Sequence, residues 1–106
     1  MIIMVNLANR QVTLLEPDDF GTFSVAVAGP RSGDLLARTV RENSLGRMDP
    51  DGAHVIVHPG AVRRLAGPSV TEEWEQGFEG MCAYAAGQGW VEDDGGIKAH
   101  IEARGG

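Results

Sequence analysis

One segment near the C-terminal end constrains the fold most: from Thr71 to Ala86 the sequence repeats apolar residues at helical spacing. Residues at i, i+4, i+7 and i+11 share one face of an α-helix, and such a face is usually buried. Ser69 or Thr71 is the candidate N-cap, followed by glutamates that the helix dipole favours. The pattern predicts a long helix with one dry face. That face comprises Trp74, Phe78, Met81 and Ala85, with Cys82 beside it.

The sequence after this helix predicts a C-terminal β-hairpin. Its turn is Asp94-Gly95, because these residues tolerate the positive φ of a two-residue turn. One arm begins at Trp90, and the other alternates apolar and polar residues at the period of a strand. The residues expected to face the core are Ile97, Ala99, Ile101 and Ala103. Those expected to face away are Lys98, His100 and Glu102.

Four earlier stretches favour strands, because they are rich in β-formers and are bounded by turn residues. The first two form a predicted hairpin around Ala8-Asn9, and a turn over Met48 to Gly52 precedes the last. The stretches are Ile2 to Leu7, Arg10 to Leu15, Phe23 to Val27 and Ala53 to His58.

Two shorter helices are also predicted. The first has Ser32 or Asp34 as its N-cap and ends by Gly46. The second starts at Pro59, since a first-turn residue needs no amide proton, and runs through Leu65.

Together these elements predict one α+β domain covering residues 1–106. We expect a mostly antiparallel sheet of five or six strands packed on two main helices. Two helices cover one face of the sheet and leave the other face open, so a homodimer formed through the sheet or a helix is a candidate assembly.

The charge of the chain disfavours two classes of partner. A formal net charge of −6 would repel nucleic acid and anionic membranes. Two helices followed by a hairpin is the element order of a winged helix-turn-helix, but the helix that would enter the major groove carries four glutamates and no Lys or Arg. We expect neither a nucleic-acid nor a membrane partner. The single cysteine, Cys82, favours an inert core thiol and a reducing, cytoplasmic location.

Known catalytic and metal-binding motifs are absent from the sequence: there is no phosphate loop, GxSxG or HExxH. The acidic clusters, such as Asp49-Pro50-Asp51-Gly52, are better explained as turns. His54 and His58 lie about 13 Å apart on one strand face, too far to share a metal ion. We therefore expect no metal and no cofactor.

Four residues remain as candidates for a site. His58 ends a strand just before a short helix, and His100 has Lys98 and Glu102 on its strand face. Either histidine could serve as a general acid or base, although a solvated structural role explains both equally simply. Trp90 and Tyr84 are the candidate ligand contacts.

Two functions of different class follow. The first is a noncatalytic domain that binds a small apolar ligand or a protein partner and self-associates. The alternative is a small cofactor-independent isomerase, cyclase or lyase that uses His58 or His100 for acid/base catalysis beside Trp90 and Tyr84.

Overall fold

A computed structural model describes residues 1–29 and 34–104, with the backbone alone for 103 and 104. The described residues form six strands and three helices, and a short 3₁₀ turn, Gly67–Ser69, links the last two helices. In chain order the elements are β1 Ile2–Asn6, β2 Gln11–Leu15, β3 Ser24–Ala28, α1 Leu35–Glu42, β4 Gly46–Met48, β5 His54–Val57, α2 Pro59–Ala66, α3 Glu72–Gly87 and β6 Ile97–Arg104.

The six strands form one mixed sheet in the order β2-β1-β3-β6-β5-β4. The β1–β2, β4–β5 and β5–β6 pairs are antiparallel, whereas β1–β3 and β3–β6 are parallel. The expectation of a mostly antiparallel sheet thus holds for three of the five pairs. Both parallel pairs involve β3, which lies between β1 and the C-terminal strand β6. A strand in that position is buried on both faces, which suits the small apolar residues of Ser24–Ala28.

All three helices contribute to one core on one face of the sheet. The buried strand residues of that core have odd numbers, as the period of two requires, and include Ile3, Val25, Val55 and Ile97. The stripe predicted on the long helix is confirmed as dry: Trp74 is 3% exposed and Phe78 is 0% exposed. The predicted outward set of β6 is also confirmed, since Lys98, His100 and Glu102 are each more exposed than Ile97 and Ala99.

The structure distinguishes between the two candidate N-caps of α3, Ser69 and Thr71. The Thr71 hydroxyl accepts a hydrogen bond from the Trp74 amide at 3.1 Å, so Thr71 is the N-cap. Ser69 belongs instead to the 3₁₀ turn. At the start of α1, Asp34 occupies the cap position without a side-chain cap bond, and the alternative cap Ser32 lies outside the described residues.

Three sequence predictions need correction or refinement. Met48, predicted in a turn, belongs to β4, a strand of three residues that is too short to show a period. The expectation of two main helices agrees with the structure in outline, and the shorter helix predicted from Pro59, α2, packs on the core as well. The predicted C-terminal hairpin is not confirmed, because the segment before β6 forms no strand and pairs with β6 through an isolated bridge between Val91 and Ile97.

The turn predicted at Asp94-Gly95 lies in a loop that is longer than two residues. The Glu92 amide donates to the Gly96 carbonyl, and Gly95 has a φ of 87°. A three-residue loop with a left-handed last residue is the next commonest hairpin connection after the two-residue turn. Among the described residues, no helix has the length and apolar character needed to cross a bilayer.

Candidate functional site

The sheet has a local opening along one edge of β6. β3 pairs with this edge only from His100 onwards. At the other end, the Trp90 carbonyl accepts a hydrogen bond from the Lys98 amide at 2.7 Å, and Val91 bridges Ile97. Along this edge, β6 therefore pairs with the Trp90 segment up to Lys98 and with β3 from His100 onwards. A gap remains between the start of β3 and the Trp90 segment.

A cavity of about 340 Å³ lies at this gap. Its walls come from both faces of the sheet: Met81 and Ile97 belong to the helix-covered side, whereas His54 and His100 lie on the opposite side. Loop residues that precede β3 complete the wall. The aromatic and basic side chains of the lining include Phe20, His54, Tyr84, Trp90, Lys98 and His100.

An exposed aromatic pair forms the rim of this cavity. The rings of Tyr84 and Trp90 meet edge to face, with centroids 6.0 Å apart. The pair forms because the chain turns back after α3: Gly89 has a φ of 79°, and the Trp90 amide donates to the Ala85 carbonyl at 2.9 Å. Tyr84 remains 63% exposed and Trp90 44% exposed, so both rings have free surface.

His54 is held by an ionised carboxylate. Its Nδ1 lies 2.7 Å from Oδ2 of Asp51, and the other oxygen of Asp51 accepts a hydrogen bond from the Ala53 amide at 2.8 Å. The Ala53 amide, with His54 and Asp49, lowers the pKa of Asp51 to about 2. Because this carboxylate stays charged at neutral pH, it favours a proton on Nδ1 of His54 and leaves Nε2 as the acceptor of a neutral imidazole.

His100 has a similar arrangement on the neighbouring strand. Its Nε2 lies 3.0 Å from Oε1 of Glu102, two residues along the same strand face. His100 and His54 are partners in the β5–β6 register. The cavity wall therefore carries two adjacent imidazoles, each with one nitrogen engaged by a carboxylate. In the neutral form of each ring, the other nitrogen is a hydrogen-bond acceptor.

A small ion-pair network lies beside these imidazoles. Nζ of Lys98 is 3.4 Å from Oδ2 of Asp49 and 3.8 Å from Oδ2 of Asp51. One ligand-type atom each from Asp49, Asp51 and His54 falls within 4.8 Å of the others, a spacing that a metal ion could use. The ammonium of Lys98 already balances part of that charge, and the Gly52 amide donates to the Asp49 carbonyl as in a turn. The ion pairs with Lys98 and the turn therefore explain why these three side chains lie close together.

The structure brings together three of the four residues predicted from sequence. His100, Tyr84 and Trp90 all line the cavity. His58 does not: it is exposed at the N-cap of α2, and its amide donates to the Leu45 carbonyl. Sequence reasoning missed His54, whose position beside His100 depends on the pairing register of β5 and β6. Cys82 is partly buried, and this burial raises the pKa of its thiol.

No protein-family model matches the sequence, and searches of curated proteins and of solved structures give no match either. A function therefore has to be inferred from the chemistry of the residues around the cavity.

Proposed function

We propose that this protein is a small-molecule-binding domain whose ligand carries an apolar ring and enters the cavity between Trp90 and the start of β3. The observation that carries the proposal is the exposed Tyr84–Trp90 pair at the rim of a cavity that also presents two imidazole acceptors. Pockets for small ligands combine apolar and aromatic walls with a few polar groups that fix orientation.

The distribution of exposed apolar residues supports this choice. Among the described residues, three large hydrophobic side chains are exposed: Leu15, Tyr84 and Trp90. Two of these three line the same cavity and contact each other. At about 340 Å³ the cavity is at the small end of ligand pockets, which suits a compact ligand with one or two rings.

Binding of neutral ring compounds tests the proposal. A fragment set that includes 2-phenylethanol is expected to raise the Tm of the protein, since a ligand that binds only the folded state stabilises it. Trp90→Ala and Tyr84→Ala should lose this ligand-dependent rise while their ligand-free Tm falls by no more than a few degrees, because both side chains are largely exposed. Leu15→Ala is the matched control, an exposed apolar residue outside the cavity. An equal loss in all three variants, or no rise with any ring compound, would contradict the proposal.

A second candidate function is acid/base catalysis on the bound ligand. It is favoured by the two histidine–carboxylate pairs, Asp51 with His54 and Glu102 with His100, because a carboxylate that orients an imidazole supports general-base chemistry. Here His54 joins His100 as a candidate base, whereas His58 is not one of the residues that line the cavity.

Hydrogen exchange at a ligand carbon separates catalysis from binding. Ring-bearing ketones that bind should exchange the proton next to the carbonyl for deuterium faster with the wild type than with His54→Gln or His100→Gln. The exchange is followed by NMR in D₂O. Equal exchange rates with and without protein would leave binding as the function.

Self-association and a cytoplasmic location stay predictions. The sheet face opposite the helices carries partly exposed apolar residues, Ile2 and Met4, which suit a second copy of the chain. Light scattering during size exclusion should show a mass that rises with concentration. A monomer throughout the concentration range would contradict self-association.

A further inference from the structure

We infer that the ligand is a cationic amine attached to the apolar ring, recognised by a wall with excess negative charge, two imidazole acceptors and two exposed aromatic faces. This inference rests on the proposed function and names the chemical class of its ligand. Three independent features of the cavity lead to it: the charge of the polar wall, the hydrogen-bonding capacity of the histidines, and the aromatic rim.

The charge of the polar wall is the first feature. Among the described residues, three carboxylates contact the lining histidines and lysine: Asp49, Asp51 and Glu102. Lys98 and the two histidines line the cavity, and the three carboxylates contact them from outside the lining. One ammonium, that of Lys98, opposes the three carboxylates, so these groups together carry a net negative charge when the imidazoles are neutral. A cationic ligand relieves this imbalance, whereas an anionic ligand increases it.

The opposite wall does not cancel that charge. Thr22 lines the cavity there, and its hydroxyl lies 3.1 Å from both the N-terminal ammonium and Oδ2 of Asp19. The ammonium and the Asp19 carboxylate are 3.9 Å apart and offset each other. The excess charge therefore remains on the β5–β6 side, next to the histidines.

The hydrogen-bonding capacity of the histidines points to the same class of ligand. Asp51 engages Nδ1 of His54, and Glu102 engages Nε2 of His100. In neutral imidazoles the remaining nitrogens are acceptors, so they pair with a ligand that donates. An ammonium group is a donor only and carries three N–H bonds, whereas a carboxylate is an acceptor only.

The aromatic rim provides the third feature. The faces of tyrosine and tryptophan rings attract cations, and the attraction is strongest over tryptophan. Tyr84 and Trp90 keep 63% and 44% of their surface exposed, so ring faces remain available at the mouth of the cavity. The ammonium of the ligand would lie between these ring faces and the two histidines, and the apolar ring of the ligand would contact Phe20.

Three ligands of one shape test the inference: phenethylamine, 2-phenylethanol and phenylacetate share a ring and differ in charge. Affinities are measured by calorimetry at low salt and about pH 8, above the range in which imidazoles usually protonate. Phenethylamine is expected to bind about threefold more tightly than the alcohol and about tenfold more tightly than the acid. Added salt should reduce these ratios.

A charge-removing variant checks the cause of this preference. Glu102→Gln keeps the size of the side chain and should reduce phenethylamine affinity about twofold to threefold, a larger reduction than the one it causes for 2-phenylethanol. Glu42→Gln is the matched control, since Glu42 is 48% exposed and Glu102 44% exposed, and Glu42 pairs with Arg10 away from the cavity. The control should retain the wild-type preference.

The outcomes separate this inference from the proposed function. If the alcohol binds and the amine binds no more tightly, the amine assignment is overturned and ligand binding stands. Tighter binding of phenylacetate would overturn it in the same way. If none of the three ligands binds, the proposed function fails together with the inference.

Discussion

The long helix α3 carries an aromatic cluster at each end, and the two clusters differ in exposure. Near its N-terminus, Trp74 stacks on Phe78 with centroids 4.9 Å apart, and Phe20 meets Trp74 edge to face. Near its C-terminus, Tyr84 and Trp90 make an edge-to-face pair of similar geometry. The first cluster contains residues that are 0% and 3% exposed, and the second contains residues that are 44% and 63% exposed.

This difference separates a cluster that is satisfied within the fold from one that keeps free surface. The indole of Trp74 donates to the Pro17 carbonyl at 2.9 Å, so its polar group and its ring are both satisfied within the fold. The rings of Tyr84 and Trp90 have free surface beside a cavity and two histidines. We conclude that the buried cluster holds the helices on the sheet, whereas the exposed cluster is available to a ligand.

The largest expected effect is a difference between the two tryptophans. Trp74→Ala should reduce the free energy of unfolding by about 3–5 kcal/mol, because it removes a large buried side chain and leaves a cavity. Trp90→Ala should cost about 1 kcal/mol or less, as expected for a largely exposed residue. Urea denaturation followed by far-UV circular dichroism measures both. Similar losses in the two variants would show that the clusters do not differ as described.

Two glycines of α3 provide a smaller test of the buried cluster. A Cβ at Gly77 would overlap the ring of Phe20, whereas a Cβ at Gly80 meets nothing within 4 Å. Gly77→Ala should therefore destabilise the protein by about 1–3 kcal/mol through overpacking. Gly80→Ala should stabilise it by about 0.5–1 kcal/mol, since alanine favours the helix. Thermal and urea denaturation should give opposite signs for the two, and equal signs would place Phe20 elsewhere.

The cap beside the buried cluster has a more modest effect. Thr71→Ala should cost about 1 kcal/mol, because the Trp74 amide loses its hydrogen-bond acceptor. Ser69→Ala serves as the control, since Ser69 lies in the 3₁₀ turn and makes no cap bond to α3. A larger loss from Ser69→Ala than from Thr71→Ala would reverse the assignment of the cap.

The smallest effect concerns the carboxylate beside the exposed cluster. The pKa of Asp51 is lowered from 3.8 to about 2, chiefly by the Ala53 amide. A depressed pKa in the folded state contributes stability above the unfolded value, and that contribution is lost as the pH falls from about 4 to about 2. NMR titration of the Asp51 carboxyl carbon should show the low midpoint. A midpoint near 4, or an unchanged acid profile in Asp51→Asn, would argue against the His54–Asp51 arrangement.

The buried cluster was predictable from the sequence, because helical periodicity is a local signal. Trp74, Phe78 and Met81 recur within one segment, and each is buried. The first hairpin was predictable for the same reason, since β1 and β2 are adjacent in sequence and in the sheet. The three-residue strand β4 escaped prediction because its pairing with β5, rather than a pattern of its own, makes it a strand.

The candidate site was only partly predictable, because it depends on long-range pairing. Tyr84 and Trp90 were identified by their type, and His100 by its neighbours on the strand. His54 needed the β5–β6 register, which places it opposite His100. His58 was selected for its position at the end of a strand, but the local pattern could not show that the cavity lies elsewhere.

The most direct test of the difference between the clusters uses the two tryptophans as reporters. The chain has two tryptophans, one in each cluster, so 5-fluorotryptophan labelling gives two ¹⁹F signals that Trp90→Phe assigns. Titration with a ring compound such as phenethylamine is expected to shift the Trp90 signal more than the Trp74 signal, because Trp90 lines the cavity and Trp74 does not. A shift confined to Trp74, or a Trp90 signal that does not respond to any ligand that stabilises the protein, would contradict the account.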